Sequence, residues 1–392
     1  MSAPETPENT GSQNTGSQNT GSQNAGSQNA GSPGTAQPAK TPGRGSRLLR
    51  AALRHPAVVP IGAVVLALLI GAVIIAAAGL DPLTAYVAVL EGALDPRQLD
   101  YTFSVWGFIC GMALAAAIPL RMGEFNLGGN GQLVLGGLTA AWVALNVPLP
   151  GILLVPLAVI AAAVVAGAFG AVSAPLATRF GIPIIISTLL LSPIAVAVAS
   201  YLLRFQIGEA GSAVAQTPRL PEAGRMWALG DLSYSNAGLL IIIAMMVAFY
   251  VVDSRTAVGF ELRVVGANRR FGAYGGVRVG RLAFGAMAAA GAAAGIIGAI
   301  IVMSSPYRLI DGALISPGYT FAGLAAALLA GGRPALIPVT AILFTVLQVG
   351  GAAMERSADV PRQLSDVLQG VVIVVLALRT VLDQRRTERS SA

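Results

Sequence analysis

The side chains best placed to do chemistry in this 392-residue chain are amides and hydroxyls held inside apolar sequence. Asn126, Asn130 and Gln132 follow Phe125 in the run Arg121-Met122-Gly123-Glu124-Phe125-Asn126-Leu127-Gly128-Gly129-Asn130-Gly131-Gln132. Ser187, Thr188 and Ser192 lie in a second run, Pro183-Ile184-Ile185-Ile186-Ser187-Thr188-Leu189-Leu190-Leu191-Ser192. Such groups donate and accept hydrogen bonds without carrying charge. They suit a polar path through an apolar medium better than acid, base or nucleophilic catalysis. The reactive residue types are nearly absent. Cys110 is the single cysteine, so no intramolecular disulfide forms, and with His55 the single histidine no Cys/His metal site forms either. A hydrolase built on histidine would have to use His55, in an Arg-rich stretch before the first apolar run. Gly34 to Thr41 imitates a phosphate-binding loop, but Ala39 replaces the glycine before Lys40 and no strand precedes it. Lys40 is the only lysine, so any ATP used with this chain is hydrolysed by another one. No catalytic residue, metal or bound cofactor is expected.

The medium follows from composition. The chain is 55% hydrophobic and 11% charged, against about 25% charged in soluble domains. Its mean hydropathy is +0.71, so most of its surface meets lipid. Runs of about 20 residues without charge cross a roughly 30 Å hydrocarbon core. Ten such runs are expected to span: 57–80, 101–120, 125–147, 151–178, 180–203, 232–252, 282–307, 312–332, 334–354 and 367–382. This predicts an all-α, polytopic transmembrane bundle over residues 57–382. It is preceded by a disordered low-complexity cytoplasmic tail (1–43, with repeats of Asn-Thr-Gly-Ser-Gln) and a basic juxtamembrane segment (44–56). A cytoplasmic tail (383–392) follows.

Arginine sets the orientation. With both termini inside, 18 of the 25 basic residues fall on the cytoplasmic side. The two faces then carry +11 and −4, which together make the net +7. The positive charge is therefore explained by topology. Aromatic residues make up only 6% of the chain, which leaves little for a nucleic-acid stacking surface, and no nucleic-acid partner is expected.

Six of the inner arginines belong to one loop, 253–281. Within it Phe260, Val264, Ala267, Phe271 and Tyr274 form one apolar helical stripe, with Glu261, Arg263, Asn268, Arg269 and Arg270 on the other faces. Such a helix either lies on anionic lipid or docks in a cytoplasmic partner. The glycines around Asn126 likewise admit two readings: a broken helix beside a translocation path, or close helix packing with the amides acting as glue.

At these residues the sequence resembles the permease subunits of bacterial ABC importers for nucleosides and simple sugars, relatives of the ribose and branched-chain amino acid permeases. Arg121 to Gln132 is similar to the family segment Arg-Ala-Gly-Leu-Phe-Asn-Ile-Gly-Ala-Glu-Gly-Gln. Gly259, Leu262, Arg263, Val265, Gly266, Asn268, Ala273, Tyr274, Gly276 and Val277 mirror the family's cytoplasmic loop. Gly318-Tyr319-Thr320-Phe321-Ala322-Gly323-Leu324, then Pro334, mirror a third block. Three blocks in order cover about residues 57 to 382. Departures are Asn130, where the family usually has glutamate, and Ile184 and Ser192, where glutamate and asparagine are common.

The resemblance implies a membrane subunit of an ATP-driven importer working by alternating access in the bacterial inner membrane. Its partners would be a separate ATPase subunit that uses ATP and magnesium, a second permease subunit (a homologous heterodimer partner or a second copy), and an extracytoplasmic binding protein. It favours docking over lipid for the loop, assigning ATPase coupling to Gly259, Phe260, Glu261, Arg263, Gly266, Asn268, Arg269 and Tyr274. It places Phe125, Asn126, Asn130, Gln132, Ser187, Thr188 and Ser192 by the substrate pathway. The competing class is an autonomous secondary transporter or channel. Proton coupling there would need buried carboxylates, which every expected span lacks.

Overall fold

Proline, glycine and capping side chains decide where the helices stop. In the computed structural model, residues 58–77, 79–228 and 236–358 are described, with 364, 367, 369–371 and 374 beyond them. The expected tails, the juxtamembrane segment and most of the tenth span lie outside these residues. All described residues fall in one unit, 53–392.

Thirteen α-helices are described: α1 (Val58–Ala77), α2 (Pro82–Leu94), α3 (Leu99–Leu120), α4 (Gly129–Asn146), α5 (Gly151–Ala171), α6 (Ser173–Phe180), α7 (Ile184–Phe205), α8 (Ala237–Arg255), α9 (Ala257–Ala267), α10 (Arg269–Tyr274), α11 (Val279–Met303), α12 (Tyr319–Leu329) and α13 (Ile337–Ala358). Among the described residues there is no β-strand, only two isolated bridges. Asp81 caps α2 by accepting from the Leu83 and Thr84 amides, with Pro82 opening the helix.

Six helices are long and apolar enough to cross a membrane: α3, α5 continued by α6, α7, α8, α11 and α13 with its short 3₁₀ lead-in. A seventh span is added if α1 and α2, bent by 119°, are taken together. The structure thus carries six of the ten expected runs as long helices. The remaining four differ for physical reasons. Residues 125–128 lie outside any helix, and α4 is kept too polar by Asn130, Gln132 and its glycines. Run 312–332 contains only the 11-residue α12, because Gly312 and Gly318 adopt positive φ and break it. The first run ends in the bent pair, and the tenth lies largely outside the described residues.

The centre is α11, which packs on α5, α4 and α3. Its Gly291 and Gly295, one turn apart, admit the α5 backbone. A Cβ at either would lie 2.3 Å from the Ala166 carbonyl or 2.6 Å from that of Ala162. In lipid, where helices gain little from hydrophobic burial, such close approach supplies the association energy. The apolar window of α3 is 83% buried and that of α8 only 22%. Leu240, Val247 and Tyr250 on α8, and Leu189, Leu190 and Ile194 on α7, point outward as a lipid-facing surface requires. Every ion pair among the described residues joins two residues assigned to the same face by the charge partition.

Candidate functional site

Two polar clusters are built on the segment 121–132. The first is ionic. Arg121 ends α3, and its guanidinium donates from Nε to Asp253 Oδ1 at 2.8 Å and from Nη2 to Oδ2 at 2.7 Å, a fork-on-carboxylate pairing. Asp253 lies in the last turn of α8 and is buried. Arg263 on α9 adds a second cation, with Nη1 3.4 Å from Asp253 Oδ1 and donating to the Asp253 carbonyl. Two cations on one buried carboxylate fix α3, α8 and α9 at a single point. Gly123 makes a left-handed turn that ends the helical stretch, and the next residue, Glu124, accepts from Arg269 of α10 at 2.8 Å.

The helix expected as one piece in the loop 253–281 is two. Asn268 is extended and caps α10 by accepting from the Phe271 amide at 3.0 Å, which ends α9 at Ala267. Thr256 caps α9 in the same way through Gly259. The stripe also faces the other way from the packed side: Gly259, Leu262 and Val265 are buried, whereas Phe260, Phe271 and Tyr274 are exposed, Tyr274 at 91%. Glycine is required where α9 meets the chain. A Cβ on Gly266 would lie 2.2 Å from the Arg121 carbonyl oxygen, and one on Gly259 2.3 Å from that of Val252.

The second cluster is neutral. Asn126 donates through Nδ2 to Gln132 Oε1 at 2.8 Å, and its own Oδ1 accepts from the Gly128 amide at 3.0 Å and from Gln132 Nε2 at 3.3 Å. The α7 hydroxyls complete it. Thr188 accepts from the Leu127 amide at 3.2 Å, and Ser192 from the Gly131 amide at 2.9 Å. These bonds satisfy amides left open by the non-helical stretch before α4 and by the first turn of α4. Asn126, Gln132, Ser187, Thr188 and Ser192 are all buried. Ser187 bonds only its own helix, donating to the Ile184 carbonyl. Asn130 and Phe125 are partly exposed, and the Asn130 side chain has no hydrogen-bond partner among the described residues.

Four of the seven residues expected by the pathway, Asn126, Gln132, Thr188 and Ser192, therefore come together, as a self-satisfied network rather than open walls, while Ser187 is buried on α7 outside it. The residues expected to couple to an ATPase also cluster, on α9, α10 and the Asn268 cap. Residue types alone did not single out Asp253, Arg121 or Glu124 as partners. The signal available was that opposite charges close three segments at the same membrane face. Thr320 was quoted only within its block. Its hydroxyl oxygen is buried without a hydrogen-bond partner, and a Cβ on Gly129 would lie 2.6 Å from its methyl carbon. The N-termini of α4 and α12 thus meet. They do so opposite Met112, about 13 Å along α3 from Arg121, close to half the thickness of a bilayer core.

Comparison with known proteins agrees with this arrangement. The family described as branched-chain amino acid transport system / permease component matches residues 99–377. A glucose ABC transporter permease of Haloferax volcanii is 33% identical over 334 residues, covering 81% of this chain and 86% of that protein. A nucleoside ABC transporter permease of Lactococcus lactis is 29% identical, covering 83% and 92%. A guanosine ABC transporter permease of Bacillus subtilis is 28% identical, covering 81% and 92%. The match takes in both polar clusters and the helices that hold them. With several helices long enough to cross a bilayer, this multi-pass membrane protein belongs to the permease family of branched-chain amino acid transport systems.

Proposed function

We propose that the chain is the membrane-spanning subunit of an ATP-driven importer that moves nucleosides or simple sugars across the bacterial inner membrane by alternating access. The relatives named for glucose, nucleoside and guanosine transport support the solute class. A separate ATPase subunit uses ATP and magnesium, an extracytoplasmic binding protein delivers the solute, and a second permease subunit completes the membrane path. The observation that carries the coupling is the strap 121–128. At its start α9 presses backbone to backbone at Gly266, while Arg121 and Glu124 are ion-paired to α8 and α10. Its far end enters the amide network and starts α4.

The exposed Phe260, Phe271 and Tyr274 offer an apolar surface with arginines beside it, suited to a groove of the ATPase. Closure of the ATPase on ATP then displaces α9 and α10. Because these are fastened to residues 121–124, the displacement reaches Asn126 within a few residues. ATP drives the cycle by its different affinity for the inward and outward states. In this reading the buried amides hold the wall of the path, and Asn130, with its free amide, faces it.

The test is uptake by the assembled complex. Uptake should be vanadate-sensitive, and an ATPase subunit should co-purify. Gly266→Leu and Arg263→Glu should abolish uptake while the protein remains in the membrane. Unchanged uptake by both variants overturns the coupling assignment, and vanadate-insensitive uptake driven by an ion gradient would favour a secondary transporter.

A further inference from the structure

The opposite face of the bundle from the ionic cluster contains a cavity of about 190 Å³ that none of the pathway residues lines. Its walls are the first turns of α3, the last turn of α11 and the loop that leads into α12. Tyr101, 38% exposed, stands at its rim, and Phe108 and Tyr319, both buried, stand at its floor. Tyr101 and Phe108 are seven residues apart on α3, so rim and floor are separated by about 10 Å. The floor pair meets edge to face, with ring centroids 5.6 Å apart and planes at 64°.

The polar handles are few. Ser104, 7% exposed, lines the cavity and has no hydrogen-bond partner among the described residues. Ser305 and Arg308 also line it, and Arg308 is paired with Glu209 at 3.3 Å. No carboxylate does. The walls are held in place: the Thr217 and Leu220 amides of the preceding outer loop donate to the Leu309 and Tyr307 carbonyls at 2.9 and 2.8 Å. Directly after the floor residue Tyr319 comes Thr320, whose buried hydroxyl lacks a partner and which adjoins Gly129 at the start of α4.

We propose that this cavity is the subsite that first receives the solute from outside, that it takes a neutral, hydroxyl-bearing furanose or pyranose ring, and that the Phe108–Tyr319 pair is the partition between it and the Thr320–Gly129 junction below. The proposal rests on the importer reading above. The chemistry selects the class. Aromatic rings at the floor accept the C–H face of a sugar, and the Ser104 hydroxyl and Arg308 guanidinium meet ring hydroxyls. A mostly apolar pocket with a few convergent polar groups is the usual form of a small-molecule site. The volume is below the roughly 300 Å³ at which drug-sized pockets begin, so it fits one ring, the pentose of a nucleoside or a single hexose. A free amino acid would bring an ammonium with no carboxylate to meet it, and its carboxylate would compete with Glu209 for Arg308.

The single cysteine makes the test clean. In the complete importer, Cys110→Ser supplies a thiol-free chain, and Ser104→Cys or, in parallel, Tyr101→Cys places one thiol at the cavity. A membrane-impermeant thiol reagent is added from outside with a ribonucleoside, a hexose or leucine. Both thiols should be modified. The solute that the wild-type complex imports should slow modification about tenfold at concentrations some ten times its dissociation constant, and leucine should not. Slowing by the ribonucleoside alone or the hexose alone identifies which source supplies the ring. Failure of both thiols to react, equal rates with and without the imported solute, or protection by leucine overturns the subsite. A wild-type complex that imports neither ribonucleoside nor hexose overturns the importer reading instead, whatever the labelling shows.

Discussion

The two polar clusters at either end of the segment 121–132 solve the same problem in opposite ways. At one end Asp253 is buried at a membrane face and balanced by two arginines, so full charges are held in geometry that returns their lost hydration. At the other end Asn126 and Gln132, beside α7, use amides that satisfy each other and the loose backbone around them. The difference follows depth. Charge is tolerated at the interface, where water and headgroups reach, whereas in hydrocarbon a neutral hydrogen-bonded group is far cheaper. It also follows role: a bidentate ion pair fixes orientation, while an amide pair tolerates small displacements of its helices.

The comparison is broken most severely by Asp253→Ala. Arg121, with its side chain 17% exposed, loses its counter-charge, and stability should fall by about 3 kcal/mol. The measurement is thermal unfolding of the purified protein in detergent, where Arg121→Ala combined with Asp253→Ala should recover part of the loss. Gln132→Leu should cost less, about 1 kcal/mol by the same measurement, as for other hydrogen bonds within membranes, because Asn126 Oδ1 keeps the Gly128 amide. Equal losses for the two variants would erase the distinction between the clusters.

Glu124→Gln is expected to be smaller again, within about 0.5 kcal/mol, since Arg269 is more than half exposed. Its effect should appear in coupling, as fewer solutes imported per ATP hydrolysed, and any stability change should vanish in high salt. The smallest effect at neutral pH belongs to the face opposite the Asp253 cluster. The Ser200 hydroxyl, then the Arg204 guanidinium, hold the Asp311 carboxyl below its usual 3.8. A carboxylate with a lowered folded value contributes stability that is complete above the ordinary value and is lost as pH falls through the folded one. Thermal stability should therefore be flat from about pH 7 to 5 in this respect and decline below about 4. Asp311→Asn should flatten that decline.

Much of this was legible before the structure. The apolar runs named the long helices α3, α5, α7, α8, α11 and α13, because a charge-free stretch of that length has few other stable forms in lipid. The loop 253–281 was legible as helical and amphipathic. Its break at Asn268 was not, since an asparagine that caps α10 reads equally well as a polar residue on a helix face. Run 125–147 misled because glycine and amide residues carry no charge, so a charge count could not show that 125–128 lies outside the helix. The same holds for 312–332, where positive-φ glycines leave only α12. The small-residue seam Gly291 and Gly295 was available as a spacing signal, but its partner on α5 was not.

Sequence by itself determined the medium, the helical class and the family likeness. Hydropathy, charge asymmetry and short motifs are properties of residues near one another in the chain. Only the tertiary structure decided which polar groups meet. The Arg121–Asp253 pair joins residues 132 apart, Ser192 reaches Gly131 across 61, and the cavity beneath Tyr101 needs Arg308 brought to it. Contacts of that separation depend on how helices cross, and crossing is set by close packing of small residues such as Gly295 and Gly266 against distant backbone, which no local pattern records.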